Sequence, residues 1–468
     1  MLYRSLSGRL ALRRTLFRTN SSLRSVTTSA FASQRPSPQW QKWAYAISGF
    51  GALSFGIWWF YWPKHTFPSS VARILRKGLW EESDKKNHDF QSALKYYLEA
   101  LDECSKLGMD KISDEYTGIE LKVAEMYEKL GMDKEAHDMY LEMMYRYFDA
   151  LRTPGRVADD RRPHLIQKDL RVLIKSLEMN RDIQIAKRNL LAHLLLAQEE
   201  VLSRSPELKE FFDKRKERTL KLFQGRPGSN TIEFDTFVNE DNIKLNEGSY
   251  MILDMAKNSS AWEPFKEEFF TARDLYTAYC LSTKDITAAL NCKLTTVEWM
   301  VMADMPPGQL LLSQANLGSL LYLQAETFES QIYHLTQKYE SKDDAKFDEE
   351  DVRLLRQLHR NRDMCFQMAT KCYESVIKFS KKNQKLRFNA KDLMDPSAAH
   401  AIALSIYGMG VINLHKGVLA KAERLLKDSI TLAQETDFQE LLKEANQELK
   451  KVSQAQQKEV VKHANSGS

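Results

Sequence analysis

Apolar residues recur every three or four positions through most of the chain after about residue 70. Ala, Leu, Glu, Lys and Met dominate these stretches, and strand-like alternation is almost absent. This period places apolar side chains on one face of an α-helix. We therefore predict an all-α fold with two helical blocks, residues 70–222 and 258–463. Residues 223–257 lose the helical period and gain Gly, Asn and Asp, which predicts a linker or a loop-rich insertion.

The helical segments share a pattern of small and large residues that is typical of tetratricopeptide repeats. In Asp89–Leu101, Ala93 and Ala100 flank the large Tyr97. Small residues let two helices approach closely, and the large residue fills the gap to the next pair. The pattern recurs three times, at Ala124, Tyr127, Gly131, Ala136 and Tyr140; at Leu170, Leu173, Leu177, Ala186 and Leu190; and at Gly410, Gly417, Ala422, Leu426 and Ser429. A less regular helical bundle is the alternative.

One repeat is predicted to be interrupted by an insertion. Ala315–Glu326 resembles the first helix of a pair, and its partner is expected around Ala369 and Tyr373. Between them, residues 340–350 read ESKDDAKFDEE, which predicts a solvated acidic excursion on the surface.

Residues 43–62 form an uncharged run, WAYAISGFGALSFGIWWFYW. A bilayer core requires roughly 20 apolar residues of helix, and aromatic side chains favour the membrane interface, so this run predicts one transmembrane helix. A buried core helix is the alternative. Within the run, a stripe of small residues predicts packing against a partner helix, although a chance clustering is equally compatible with it. The stripe consists of Ala44, Ser48, Ala52 and Gly56.

The N-terminal region carries twelve Lys or Arg residues before the first carboxylate, Glu81. Arginines interleaved with Ser, Thr and Leu are typical of a mitochondrial transit peptide, which we place at residues 1–35. A basic tail that binds nucleic acid or acidic lipid is the alternative. A matrix signal followed by one span predicts an inner-membrane protein with its N-terminus in the matrix and its soluble part in the intermembrane space. A signal-anchored outer-membrane protein is the second possibility.

Charge and cysteine content narrow the function classes. The chain has a net charge of +5 with His neutral, and the residues before Glu81 contribute +12 of it, so residues 81–468 carry a net charge of −7. This acidic balance argues against a basic surface that binds nucleic acid. The five cysteines are far apart and odd in number, which favours buried free thiols. Cys365 and Cys372 are two helical turns apart, too far for a disulfide.

The sequence contains no motif for catalysis or cofactor binding. GxxxxGK[ST], HExxH, GxSxG and CxxC patterns do not occur. His193 and His415 occupy helical positions where a hydrogen-bonded histidine is more common than a ligand. We therefore predict a protein that is not an enzyme, binds no cofactor or metal, and acts by binding polypeptides.

The predicted binding surface is an apolar groove in the last repeats. A carboxylate clamp of the kind that binds chaperone tails is not present as a set, since its positions hold Leu121, Glu125 and Lys129 in an early repeat. The groove residues are Leu312, Tyr322, Leu323, Leu404, Tyr407, Val411 and Leu414. If they line an exposed surface, Tyr407→Glu with Leu414→Glu should leave the fold intact. The alternative is that several of them pack on a neighbouring helix.

Several long runs resemble one known family. They are Asn258–Leu320, IELKVAEMYEKLGM, LLLAQEEVLSRSPELKEFF and IYGMGVINLHKGVLAKAE. These runs are similar to the fungal tetratricopeptide adaptor of the mitochondrial inner-membrane i-AAA protease supercomplex, in the "mitochondrial genome required" group. The resemblance covers nearly the whole soluble part and is loose in the leader, in residues 214–250 and in the acidic insertion.

The resemblance implies a protein-quality-control function. It implies a single-span inner-membrane protein that binds unfolded or misfolded proteins and delivers them to the ATPase subunit of the protease, together with a second membrane adaptor. The family has no catalytic residues to transfer. The alternative function is a scaffold for inner-membrane assembly or import that holds one folded partner.

Overall fold

The computed structural model describes the chain in separate stretches. They are residues 67–83, 88–179, 182–224, 256–340, 349–382, 387–388 and 393–466. The predicted transit peptide and the predicted span both lie outside these residues.

The regular structure of the described residues is almost entirely helical, which confirms the predicted fold class for this part of the chain. The α-helices are α1 (Ser69–Glu82), α2 (Phe90–Lys106), α3 (Asp114–Lys129), α4 (Asp133–Arg152), α5 (Arg162–Met179), α6 (Ile183–Arg204), α7 (Pro206–Gln224), α8 (Lys266–Ser282), α9 (Ile286–Met302), α10 (Pro307–Glu340), α11 (Glu349–Lys382), α12 (Pro396–His415), α13 (Leu419–Glu435) and α14 (Gln439–Ser466). A short 3-10 helix covers Ala256–Trp262. Two short strands, β1 (Arg387–Phe388) and β2 (Leu393–Met394), pair antiparallel.

The chain divides after Ala136 into two compact units. In the described part of the smaller unit, α1 packs on α2 and α2 packs on α3. Tyr97 of α2 lies against Gly78 of α1, where an added Cβ would lie 2.8 Å from the tyrosine ring. Ala93 and Ala100 are fully buried on either side of Tyr97. The burial of both alanines agrees with the repeat pattern, whereas the Tyr97 ring packs on the preceding helix and not only toward the next pair.

Identical turns end α2 and α3. Residues 106–111 and 129–134 both read KLGMDK. Gly108 and Gly131 adopt φ of 65° and 71°, a left-handed conformation that side chains with a Cβ disfavour. In each turn, the N–H of the following methionine donates to the carbonyl five residues earlier, at 3.1 and 2.9 Å. The turn chemistry therefore ends both helices in the same way.

The first helices of the larger unit pack with helices that follow the predicted linker. α8 contacts both α5 and α6. Arg171 Nε lies 2.6 Å from Glu268 Oε1, and Lys187 Nζ lies 2.8 Å from Asp285 Oδ2. Residues 137–224 and 256–466 therefore belong to one compact unit, so the unit boundary does not coincide with the boundary between the two predicted blocks.

From α9 to α14, each helix packs on the next, and α12 also contacts α10 and α14. On α11, the buried positions Leu358, Cys365, Ala369, Cys372 and Val376 recur at helical spacing and form one apolar face. The predicted pairing of Ala315–Glu326 with a helix around Ala369 and Tyr373 is confirmed, because α10 packs along α11.

Among the described residues, α12 is the one helix long and apolar enough to cross a membrane. Half of its most apolar window is buried inside the protein, and it packs on α10, α11, α13 and α14. These contacts are those of a core helix in the array. The predicted span at 43–62 lies outside the described residues and stays a prediction.

Candidate functional site

The structure places most of the predicted groove residues against other helices. Tyr322, Leu323, Tyr407 and Val411 are buried. The remaining three, Leu312, Leu404 and Leu414, are half-buried and pack against core clusters.

Tyr322 of α10 is enclosed by aromatic and charged neighbours. Its ring centroid lies 5.8 Å from that of Phe366 and 6.3 Å from that of His415. Burial, and then the neighbouring Glu326 carboxylate, raise the pKa of the Tyr322 phenol. His415 Nε2 lies 2.9 Å from Glu329 Oε1, so this histidine is hydrogen-bonded, as predicted.

Tyr407 of α12 is 6% exposed and belongs to the main core cluster. The C-terminal helix α14 contributes Ala445 and Val452 to the same cluster. Burial, followed by the nearby charges of Glu448 and Glu444 on α14, raises the pKa of the Tyr407 phenol. α14 therefore covers this part of the surface that the sequence assigned to the groove.

Four of the seven predicted groove residues are buried, which contradicts their prediction as an exposed surface. Tyr322, Leu323, Tyr407 and Val411 do not form an exposed apolar surface, because all four side chains are buried. This is the packing alternative that the sequence left open. A role in substrate binding stays a prediction for the half-buried Leu312, Leu404 and Leu414. The predicted transmembrane stripe of Ala44, Ser48, Ala52 and Gly56 lies outside the described residues.

A polar cavity of about 510 Å³ opens between α5 and the end of α6. Its lining residues are Asp159, Arg162, Glu199, Glu200, Ser203 and Arg204. Arg162 Nε donates to Glu200 Oε2 at 3.1 Å, and Arg204 Nη1 donates to the Ala261 carbonyl at 2.9 Å. Both guanidinium groups therefore donate to protein acceptors. These hydrogen bonds connect α5 to α6, and α6 to the 3-10 helix.

Asp169, which the sequence analysis did not identify, forms a buried pair with His193. Nδ1 of His193 lies 2.6 Å from Asp169 Oδ2, and the Phe148 ring lies against the imidazole at 4.6 Å between centroids. Burial raises the pKa of the Asp169 carboxyl, and His193 partly opposes that rise. Both side chains are enclosed, so they have no access to a substrate and join α5 to α6. A polar residue among the inward positions Leu165, Leu170 and Leu173 is the signal that could have identified this pair.

Arg273 of α8 is a second buried polar residue that sequence reasoning missed. Its Nε donates to Thr296 Oγ1 at 2.8 Å, and its Nη2 donates to the Cys292 carbonyl at 3.1 Å. The guanidinium carbon lies 5.6 Å from the ring centroids of both Phe269 and Trp299. Neutral groups and aromatic rings therefore solvate this cation within the helical packing.

All five cysteines are free thiols, as predicted, and four of them are buried. Desolvation raises the pKa of Cys365 and Cys372, which keeps both thiols protonated. Within the described stretches, no group of three His, Cys, Asp or Glu side chains could hold a metal ion.

Comparison with known proteins gives consistent relatives. Residues 154–305 match the family model of the MGR3 middle domain. The chain is 58% identical over 391 residues to "Mitochondrial inner membrane i-AAA protease supercomplex subunit MGR3" of Saccharomyces cerevisiae, covering 83% of this chain and 78% of the relative. It is 40% identical over 420 residues to "Protein MRG3-like" of the same yeast, covering 88% of each chain.

A solved structure is also similar at low level. It is a circular tandem repeat protein with a novel repeat topology, 14% identical in sequence. The match covers 85% of this chain and 91% of that chain, with a TM-score of 0.20. A TM-score of 0.20 does not indicate a common arrangement of the helices.

Proposed function

Because this chain belongs to the MGR3 family, we propose that it is a non-catalytic adaptor subunit of a mitochondrial inner-membrane i-AAA protease supercomplex. The observation that carries the proposal is the sequence identity with the yeast supercomplex subunit, which extends through most of both chains. In this role the protein binds unfolded or misfolded membrane-associated and intermembrane-space proteins and delivers them for degradation. Its partners are the ATPase subunit of the protease, a second membrane adaptor and the unfolded substrates.

The proposed arrangement in the membrane follows from the N-terminal sequence. Residues 1–35 direct import, and a cleavage between Arg24 and Pro38 removes this transit peptide. Residues 43–62 anchor the chain in the inner membrane. The N-terminus then lies in the matrix, and the helical units lie in the intermembrane space. Protease treatment of mitochondria should degrade the helical units only after the outer membrane is ruptured. Degradation in intact mitochondria would place them in the cytosol and contradict this arrangement.

The fold supports an adaptor through its architecture. Helices packed in succession, such as α9 to α14, present extended surfaces on which polypeptide segments can bind without sequence-specific chemistry. The half-buried Leu312, Leu404 and Leu414 are the groove residues that could still reach a bound segment.

The proposal is tested by purifying the tagged full chain from mitochondria in mild detergent and identifying bound proteins by mass spectrometry. We expect the protease ATPase together with many unfolded clients, and client degradation should slow when the chain is deleted. Recovery of a single folded partner without the ATPase would instead support the scaffold.

The contribution of the span is tested separately. Ser48→Leu with Ala52→Leu should preserve membrane insertion and reduce recovery of the ATPase, because bulky side chains separate helices that pack through small residues. Ile47→Leu with Ile57→Leu is the matched control outside the stripe. Equal recovery with both pairs would show that the helical units carry the contact.

A further inference from the structure

The first described helix, α1, has one face packed in the protein and an opposite face exposed. Val71, Ala72 and Gly78 are buried on the packed face. The exposed face carries Arg73, Arg76, Lys77 and Trp80, and the Trp80 side chain is 50% exposed. At 3.6 residues per turn, these four residues lie within an arc of about 100°. The exposed face is therefore a compact combination of three cations and one indole.

Basic side chains outnumber carboxylates on the exposed side of α1. The only carboxylates in α1 are Glu81 and Glu82 at its end. Glu82 is directed to the packed side, where it accepts hydrogen bonds from Tyr97 at 2.7 Å and from Lys129 at 3.0 Å. Lys77 Nζ lies 5.7 Å from the centroid of the Tyr96 ring, a contact that leaves its charge in place. The exposed side of α1 therefore carries more positive than negative side chains.

The position of α1 in the chain limits how far this face can lie from a membrane. Six residues separate Trp62, at the end of the proposed span, from Ser69, the first residue of α1. Fully extended, the seven Cα–Cα steps from Trp62 to Ser69 span at most about 24 Å. Lys64 and His65 lie in this connection, and no carboxylate does. The start of α1 is thus held within a short distance of the lipid headgroups.

From these observations we infer that the exposed face of α1 binds the surface of an anionic phospholipid bilayer. The inference rests on the proposed membrane anchor at residues 43–62. Arg73, Arg76 and Lys77 contact lipid phosphates, and the Trp80 indole inserts at the interface, where its apolar ring and polar N–H are both accommodated. A contact beside the anchor would fix the smaller unit to the membrane surface and restrict its rotation about the connection.

The test uses the full chain reconstituted into lipid vesicles, with the photoreactive substitution Trp80→p-benzoylphenylalanine. Tyr333→p-benzoylphenylalanine provides the matched position, because Tyr333 is an aromatic residue that is 63% exposed on α10. We expect lipid adducts at position 80 to exceed those at position 333 and to increase when an anionic phospholipid is added to phosphatidylcholine. High salt should reduce the adducts, because it screens the attraction.

Charge reversal isolates the contribution of the cations. Since each Lys or Arg near an anionic surface strengthens binding roughly fivefold, Arg73→Glu with Arg76→Glu and Lys77→Glu should lower the adduct yield by at least about tenfold. The control Lys111→Glu, Lys134→Glu and Lys421→Glu makes the same charge change at exposed lysines elsewhere and should leave the yield within about twofold. Circular dichroism should show the same helix content for both triple variants.

The outcomes separate this inference from the proposed anchor. Resistance of the full chain to alkaline carbonate extraction reports on the span alone. If the chain resists extraction but adducts at position 80 do not exceed those at position 333, or are equal in neutral and anionic vesicles, the inference is overturned while the anchor stands. If carbonate extracts the chain, the anchor itself fails. Adducts to protein instead of lipid, when the same cross-linking is done in mitochondria, would also overturn the inference.

Discussion

The ring of Tyr373 in α11 occupies the space that a side chain at Gly408 in α12 would need. A Cβ added at Gly408 would lie 2.5 Å from both Cε2 and the hydroxyl oxygen of Tyr373. On the other side of the ring, a Cβ at Gly318 in α10 would lie 2.6 Å from Cε1. Ser319 Oγ also lies 3.2 Å from the Tyr373 hydroxyl. Two glycines on two helices thus enclose one tyrosine from a third helix.

Gly408→Ala is therefore expected to destabilise the larger unit by about 1 to 3 kcal/mol, because the enclosed ring cannot move away from the new methyl group. The control is Gly118→Ala in α3, where an added Cβ meets nothing within 4 Å. That change should stabilise its helix by about 0.5 to 1 kcal/mol. Thermal unfolding followed by circular dichroism, with hydrogen exchange of α12 and α3, measures both. A neutral Gly408→Ala would contradict the tight packing of Tyr373.

The sequence predicts contacts of this kind well, because the small and large residues each occupy a helical register that can be read locally. The burial of Ala93, Tyr97 and Ala100, and the pairing of α10 with α11 across the acidic insertion, both follow from that register. The packing of α8 on α5 and α6 does not. It depends on contacts such as Arg171 with Glu268, between residues almost one hundred positions apart, and periodicity within a helix carries no information about its distant partner.

The predicted groove shows a second limit of prediction from sequence periodicity. Periodicity identifies the apolar face of α12, but it does not reveal whether another helix covers that face. α14 does so at Tyr407, because the terminal helix has its own apolar face with Ala445 and Val452. Buried polar residues such as Arg273 escape prediction for a related reason, since their partners lie on other helices.

Tyr407→Glu is expected to unfold the C-terminal helices, in contrast to the expectation for an exposed groove. A glutamate there would bury a charge in the core, close to Glu448 and Glu444, at a cost of about 3 kcal/mol or more. Tyr407→Phe is the control. The Tyr407 hydroxyl is buried with no hydrogen-bond partner in the described structure, so its removal should leave the melting temperature unchanged or slightly higher. An unchanged melting temperature for Tyr407→Glu would restore the exposed groove.

Glu82→Gln should make the smaller unit less stable at neutral pH but not at acidic pH. Burial alone would raise the pKa of the Glu82 carboxyl, but hydrogen bonds from Tyr97, Lys129 and Lys122 outweigh that effect and lower the pKa below its ordinary value. A carboxyl with a lowered folded-state pKa contributes stability that is complete above its unfolded-state pKa and is lost as the pH falls through the folded-state value.

The expected difference between wild type and Glu82→Gln is about 1 kcal/mol at pH 7, and it should disappear as the acid end of the titration is reached. Hydrogen exchange of α1 and α3 at a series of pH values measures it. Glu207→Gln serves as the control, since Glu207 is an exposed carboxyl that also has a lysine and an asparagine as partners. If Glu82→Gln shows the same difference at all pH values, the charge of Glu82 is not the stabilising feature.

Arg273→Lys tests whether the geometry of the guanidinium, and not its charge alone, holds α8 to α9. A lysine retains the positive charge but cannot donate from separate nitrogens to Thr296 and to the Cys292 carbonyl, and it cannot present a planar group between Phe269 and Trp299. We expect the free energy of unfolding of the larger unit to fall by about 2 to 4 kcal/mol, because the ammonium would be buried with fewer hydrogen bonds.

Arg171→Lys, at a side chain that is 61% exposed and paired with Glu268, should cost less than about 1 kcal/mol. Chemical denaturation of both variants, followed by tryptophan fluorescence and circular dichroism, gives the comparison. Equal and small losses would mean that the charge alone is required at position 273, whereas a large loss confined to Arg273→Lys identifies the planar donor group as the element that joins the two helices.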